Sequence, residues 1–253
     1  MLIDTHAHIQ FGAYDENRDA VIERALEAGI GYIICPGIDL ESSEQAVQLA
    51  EEYECVYAAA GIHPHESTEL PDDWLYRIED LCDHPLVVAL GEIGLDYFKE
   101  YSPGEAQRNT FRSQLELAGD LALPIIVHNR DSDEDMRRII TEAGPGNGVM
   151  HCFTSDIRMA RDMVDLGYLI SFTGIATFGN TVVDNTILEL PIDHMMVETD
   201  SPFLAPAPYR GKTNEPAYVT AVADKIAELK ELDPATVRER TTENAQQLFN
   251  LPL

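Results

Sequence analysis

Six short apolar runs in this chain each end on a side chain that can bind a metal ion, and their placement constrains the fold more than any other feature. They are Ile3-Asp4-Thr5-His6-Ala7-His8, Gly61-Ile62-His63-Pro64, Gly91-Glu92-Ile93-Gly94, Ile126-Val127-His128, Val149-Met150-His151 and Val197-Glu198-Thr199-Asp200. Ligands this far apart in sequence meet only if the strands carrying them converge. In an eight-stranded parallel α/β barrel every strand opens at its C-terminal end onto one face, where the chemistry sits. Residues two apart on a strand point to the same side, so His6 and His8 can hold one ion together.

Between these runs, strand patterns alternate with helical ones. Strands are expected at Leu2–His6, Tyr32–Cys35, Val56–Gly61, Leu86–Gly91, Pro124–His128, Gly148–His151, Tyr168–Phe172 and His194–Glu198. Helices are expected at Glu16–Ala28, Glu41–Tyr53, Asp72–Cys82, Gly104–Asp120, Asp133–Glu142, Asp156–Leu166, Pro216–Lys230 and Pro234–Phe249, with a short helical stretch before Pro191. Gly29 can take the left-handed turn that stops the first helix, and Asp233 with Pro234 makes a capped start for the last. Eight βα units in order imply a (β/α)8 TIM barrel, a single domain over residues 1–253.

Composition narrows the function classes. No apolar stretch approaches the roughly 20 residues of a spanning helix, and the N-terminus lacks a basic leader region, so a soluble cytoplasmic protein with no membrane partner is expected. Cys35, Cys55, Cys82 and Cys152 share no CxxC spacing and read as reduced thiols. A formal net charge of −28, from 17 basic and 45 acidic residues, argues against a dedicated duplex-DNA binder with a basic surface. It leaves room for a local basic rim. Lys99, Arg130, Arg210 and Lys212 fall in loops after strand ends, hence on the open face, where they read either as phosphate contacts or as surface ion-pair partners. Tyr97, Phe98 and Phe153 follow strands four and six, and either stack on bases or close the barrel top.

The ordered set His6-Ala7-His8, Gly61-Ile62-His63-Pro64, Gly91-Glu92-Ile93-Gly94-Leu95-Asp96-Tyr97, His128-Asn129-Arg130, His151-Cys152-Phe153, Glu198-Thr199-Asp200-Ser201-Pro202 and Arg210-Gly211-Lys212-Thr213-Asn214-Glu215-Pro216 resembles the TatD family of metal-dependent deoxyribonucleases. The resemblance runs from Ile3 to the Asn244–Phe249 segment and is greatest to bacterial YcfH-type members. One departure is Asn129, where the family usually has Ser after the fifth-strand histidine. The resemblance implies a metal-dependent hydrolase barrel in which Asp200 completes the shell of the His6–His8 ion. It implies that Glu92 bridges to a second ion held by His128 and His151. Two such ions stabilise the attacking and leaving oxygens of a phosphoryl displacement. Asp200 is then the base for the attacking water, and His63 donates to a nonbridging phosphate oxygen. The implied cofactor is two divalent ions per chain, Mg, Mn or Zn, because histidine suits Zn or Mn while Mg prefers oxygen. The implied substrate is single-stranded or terminal DNA. An amidohydrolase-like esterase, lactonase or amidase, including an aminoacyl-tRNA deacylase, is the alternative on the same scaffold. Many binuclear enzymes of that kind use a carboxylated lysine as bridge, and strand four offers no lysine before Lys99.

Several residues carry a second reading. His63 serves either as a substrate contact or as an orienter of a ligand, and His65 divides evenly between substrate and structure. His84 belongs to the opposite barrel end and His194 opens strand eight, both structural readings. Alternation turns Cys152 away from the histidine face, and Met195 and Met196 suit core packing. The acidic run at Asp131, Asp133, Glu134 and Asp135 reads as a helix start favoured by the helix dipole. Glu198 is expected to support the ligands from behind. The sequence fixes no oligomeric state and is compatible with a monomer.

Overall fold

Alternate residues of the strands face two different cores, and this splits the molecule into a barrel and its helical coat. The computed structural model describes residues 1–144 and 146–252. Its strands are β1 Leu2–Asp4, β2 Ile30–Pro36, β3 Val56–Ala60, β4 Val87–Asp96, β5 Ile125–Arg130, β6 Gly148–Met150, β7 Tyr168–Phe172 and β8 Met195–Val197, all parallel and hydrogen-bonded in sequence order. Among the described residues, nine α-helices lie between and after them: α1 Arg18–Glu27, α2 Leu40–Glu52, α3 Trp74–Cys82, α4 Gly104–Leu121, α5 Asp133–Ala143, α6 Ile157–Asp165, α7 Thr181–Glu189, α8 Val219–Lys230 and α9 Pro234–Phe249. Ile3, Ile34, Ala59, Ile126, Val149 and Met196 form one buried cluster, joined by Ala245, Leu248 and Phe249 of α9. The strand residues in it alternate with those facing the helices, so the cluster is the barrel interior, and α9 plugs it from the end opposite the ligands.

The ring closes through residues just beyond β1 and β8. Thr5 N–H donates to the Val197 carbonyl at 3.3 Å, Asp200 N–H to His6 at 2.9 Å, and His8 N–H to Ser201 at 2.8 Å. Buried Asp4 reinforces the seam, accepting from the Thr199 N–H at 2.8 Å and its hydroxyl at 2.6 Å. The expected eight-unit barrel is therefore present, with several local differences in where elements start and stop. β4 runs on to Asp96 because Gly94, at φ +142°, lets it pass β5; a Cβ there would lie 2.0 Å from the His128 carbonyl oxygen. A register shift between Leu90 and Ile93 falls at Glu92, the place where a bulge re-aims a side chain. The stretch before Pro191 is a nine-residue helix, α7, capped by Asn180 accepting from the Val182 and Val183 N–H groups. No helix among the described residues is long and apolar enough to cross a membrane.

Candidate metal centre

Glu92 stands at the middle of the open barrel end with a different set of imidazoles at each carboxylate oxygen. Its Oε2 lies 3.3 Å from His6 Nε2 and 3.5 Å from His8 Nε2. Its Oε1 lies 2.7 Å from His128 Nδ1, 3.0 Å from His151 Nε2 and 3.5 Å from His63 Nε2. Asp200 closes the first side, its Oδ1 3.9 Å from His6 Nε2 and 3.6 Å from His8 Nε2. All six expected ligands thus converge. Three overlapping triads, His6–His8–Glu92, His6–His151–Asp200 and His63–Glu92–His128, each offer ligand atoms within 4.8 Å of one another. His63 enters the last triad, closer to the ligands than a purely substrate-facing residue would be.

The donor set fits a cation because His8, His128 and His151 each have the ring nitrogen far from Glu92 held by an acceptor. His8 Nδ1 donates to the Pro36 carbonyl at 3.1 Å, since a carbonyl only accepts, and this turns the Nε2 lone pair inward. His151 Nδ1 meets Glu198 Oε1 at 3.0 Å with the same effect, which gives Glu198 the supporting position expected of it. His6 Nε2 and His8 Nε2 lie 3.1 Å apart, two buried nitrogens facing two carboxylates with one shared direction, as a common ion would require. Among the protein groups alone, burial lowers His8 to about 3 and raises Asp200 to about 6. Burial also opposes the charge on Glu92, but His151, His63 and His6 more than offset it and hold the carboxyl well below its usual range. Burial opposes the charge on His151 as well, and there Glu92 and Glu198 prevail and raise it well above an ordinary histidine.

Asp96, quoted only as part of a motif in the sequence, turns out to be buried at this centre. Its Oδ1 accepts from the Phe98 and Lys99 N–H groups at 2.9 and 3.0 Å. Its Oδ2 lies 3.3 Å from His128 Nε2 and 3.0 Å from His65 Nε2. With a carboxylate on its Nε2, His128 faces Glu92 through Nδ1. A carboxylate four residues beyond Glu92, past a strand end the sequence placed at Gly91, gave no period-two signal that could have revealed it.

A cavity of about 700 Å³ opens above the centre, lined by His63, His65, Lys99, Arg130 and Asn129 as well as by all the expected ligands but His6. Arg210 and Lys212 lie outside its lining, in the loop after β8. That loop is pinned by buried Asn214, whose amide donates to the Thr199 and Phe203 carbonyls at 2.9 and 2.6 Å. Cys152 corrects the expectation from strand alternation: β6 ends at Met150, Cys152 takes φ +46°, and it lines the cavity beside His151. Burial pushes its thiol up to about 12, which keeps it protonated and a weak ligand. Phe153 is buried against Phe172, and the Tyr97 hydroxyl donates to Asp135, so both belong to the packed shell while Phe98 is exposed. His84 lies 3.4 Å from Glu51 in the loop before β4, and His194 ends a 3-10 turn before β8, both away from the centre.

A parallel eight-stranded barrel with buried histidines and carboxylates gathered at its C-terminal mouth defines the metal-dependent hydrolase class. The chain belongs to the TatD family within it, since the model of TatD related DNase matches residues 3–250. It is 43% identical to the uncharacterized metal-dependent hydrolase YabD of Bacillus subtilis, over 99% of this chain and all of that protein. It is 33% identical to the 3'-5' ssDNA/RNA exonuclease TatD of Cronobacter sakazakii, over 98% of this chain and 97% of that one. The crystal structure of YJJV, a TatD homolog from Escherichia coli K12, superposes with a TM-score of 0.93 at 30% identity, covering 99% and 98% of the two chains.

Proposed function

We propose that this hydrolase is a phosphodiesterase acting on single-stranded or terminal DNA, with two divalent ions sharing Glu92. The observation that carries the reading is the division of Glu92: Oε2 faces the His6–His8 pair and Oε1 faces His128 and His151. Glu92 would then offer one oxygen to each of two cations. When bound, two such ions polarise the phosphate, make a water nucleophilic at neutral pH and stabilise the leaving oxygen. Asp200 accepts the proton of the attacking water through its carboxylate, which burial already makes more basic than an ordinary aspartate. The backbone N–H of His65 donates to His63 Nδ1 at 3.1 Å, so the ring proton of His63 sits on Nε2, 3.5 Å from Glu92 Oε1 in the cavity wall, from where it can turn to donate to a nonbridging phosphate oxygen. Lys99 and Arg130, both in the cavity lining, supply charge for the flanking phosphate. The exonuclease name of the Cronobacter relative supports the same substrate class. Four free thiols are in keeping with a cytoplasmic location.

The test is a screen of metal-reconstituted protein, with Mg, Mn or Zn, against single-stranded DNA, a bis-aryl phosphodiester, lactones and aminoacyl-tRNA. Turnover of the first two, abolished by a chelator and restored by metal, is expected. Turnover confined to lactones or aminoacyl-tRNA would move the protein to the amidohydrolase-like alternative.

A further inference from the structure

The 17 lysines and arginines are distributed unevenly between duty to the fold and freedom. Among the described residues, most pair with a carboxylate within 4.0 Å, and Lys230 donates to backbone carbonyls of the α7 end. Lys99, Arg130, Arg158, Arg210 and Lys212 have neither kind of partner among the described residues. In a chain with 45 acids, leaving cations unpaired is not the default. Apart from Arg158, in α6, these are the four that follow strand ends.

Each of those four instead sits over an aromatic ring, and they make all the cation–ring contacts among the described residues. Arg130 lies 3.9 Å and Lys99 5.8 Å from the centre of Phe98, Arg210 lies 3.7 Å from Phe178, and Lys212 lies 6.0 Å from Tyr209. Tyr209 is itself stacked on Tyr218 at 3.8 Å, nearly parallel. Phe98, Lys99 and Arg130 stand at the ends of β4 and β5. Phe178 follows β7, and Tyr209, Arg210 and Lys212 follow β8. The cations of the first cation–aromatic group therefore line the metal cavity, and the second group lies beyond that lining, in the segments that follow β7 and β8 on the same barrel face.

The geometry points to an extended single-strand track across the barrel mouth, in which the second group, Phe178–Arg210 and Tyr209–Lys212, binds nucleotides several positions from the bond in the cavity. A planar guanidinium on a ring offers one face to a base and its edge to a phosphate, so each such group serves both halves of a nucleotide. A cavity of about 700 Å³ is of small-ligand size and encloses only the end of a strand. Net charge −28 gives no general attraction to a polyanion, so affinity for a strand must come from local groups of this kind. Duplex bases, already stacked, cannot use the rings. The track rests on the nucleic-acid reading above and extends it from the cavity to the face around it.

The test is binding of labelled oligothymidylates of three and ten nucleotides to the full-length, metal-loaded protein carrying Asp200→Asn. The ten-mer is expected to bind at least about tenfold tighter than the three-mer, as stacking of one further base allows. Arg210→Ala and Phe178→Ala should each cut that ratio at least about threefold. Arg210 is exposed on a loop, so its substitution decides the matter even if Phe178→Ala impairs folding. A ratio near one without the second substitution, or one that Arg210→Ala leaves unchanged, overturns the track. A ten-nucleotide oligouridylate run alongside shows whether DNA or RNA fits it better. Cleavage by unsubstituted protein is read separately. Long strands bound through Arg210 but never hydrolysed would sink the nuclease reading and leave the track standing. Equal KM for three-mer and ten-mer cleavage would do the reverse.

Discussion

Glu92 is the residue on which the proposed two-ion arrangement turns, because removing it removes an oxygen from each half of the candidate centre. The intact protein is expected to hold close to two Mn or Zn ions at saturation, and Glu92→Ala to lose much of the second ion's affinity together with activity. Elemental analysis after dialysis reads this, and at most one ion under saturating Mn, Zn and Mg contradicts it. Asp200→Asn keeps size and an oxygen ligand but accepts no proton near neutrality, so turnover should fall at least about a hundredfold. Near-normal turnover with intact metal content would place the base elsewhere. His151 sets the pH dependence of loading. Its proton is held above the usual histidine range because Glu92 and Glu198 outweigh burial, and an ion needs the same Nε2 lone pair. Metal affinity should therefore rise with pH through that raised value, and loading at pH 7 should release protons. Calorimetric titration in two buffers of different ionisation enthalpy measures the release; identical heats would show that His151 carries no proton to lose.

At the scale of elements, stability and chemistry are built at opposite barrel ends. Phe249 of α9 is 2% exposed and belongs to the interior cluster, far along the strands from the ligands. Phe249→Ala should cost about 3–5 kcal/mol of unfolding free energy and leave metal stoichiometry unchanged. Urea denaturation of the metal-loaded protein, followed by metal analysis, checks both; a loss under about 1 kcal/mol would mean that α9 is not the plug. This separation also explains what could be read in advance. Apolar runs ending on His6, His128 and His151 report strand direction and side-chain position together, so barrel topology and the convergence of the six candidate ligands were legible. Positions set by broken regularity were not. β4 continues past its expected end only because Gly94 meets β5, which hid Asp96. β6 stops before its expected end, and the left-handed Cys152 escapes the alternation that should have turned it outward. The long reach of Asn214, which explains much of the 210–216 motif, joins groups 11 and 15 residues apart and leaves no local pattern.

For the whole molecule, charge decides how a nucleic acid can be held. At −28 the long-range field repels a polyanion, and the local exceptions on the open face are Lys99, Arg130, Arg210 and Lys212. Salt dependence counts neutralised phosphates, at roughly 0.7 per contact for a single strand, so four cations limit the slope of log K against log salt to about −3. A duplex brings twice the phosphate charge per unit length to the same rim and offers no free base faces to the rings, so short single-stranded ends should bind more tightly than duplex interiors. The excess of acids in the chain sharpens this preference, because phosphates beyond the four cations gain no attraction from a molecule of net charge −28. The measurement is affinity across a salt series for the Asp200→Asn protein, on a ten-nucleotide single strand and on a blunt duplex. A slope typical of six or more phosphate contacts, or tighter binding to the duplex, would mean that cations outside these four loops carry the interaction and that the rim is not where the strand lies.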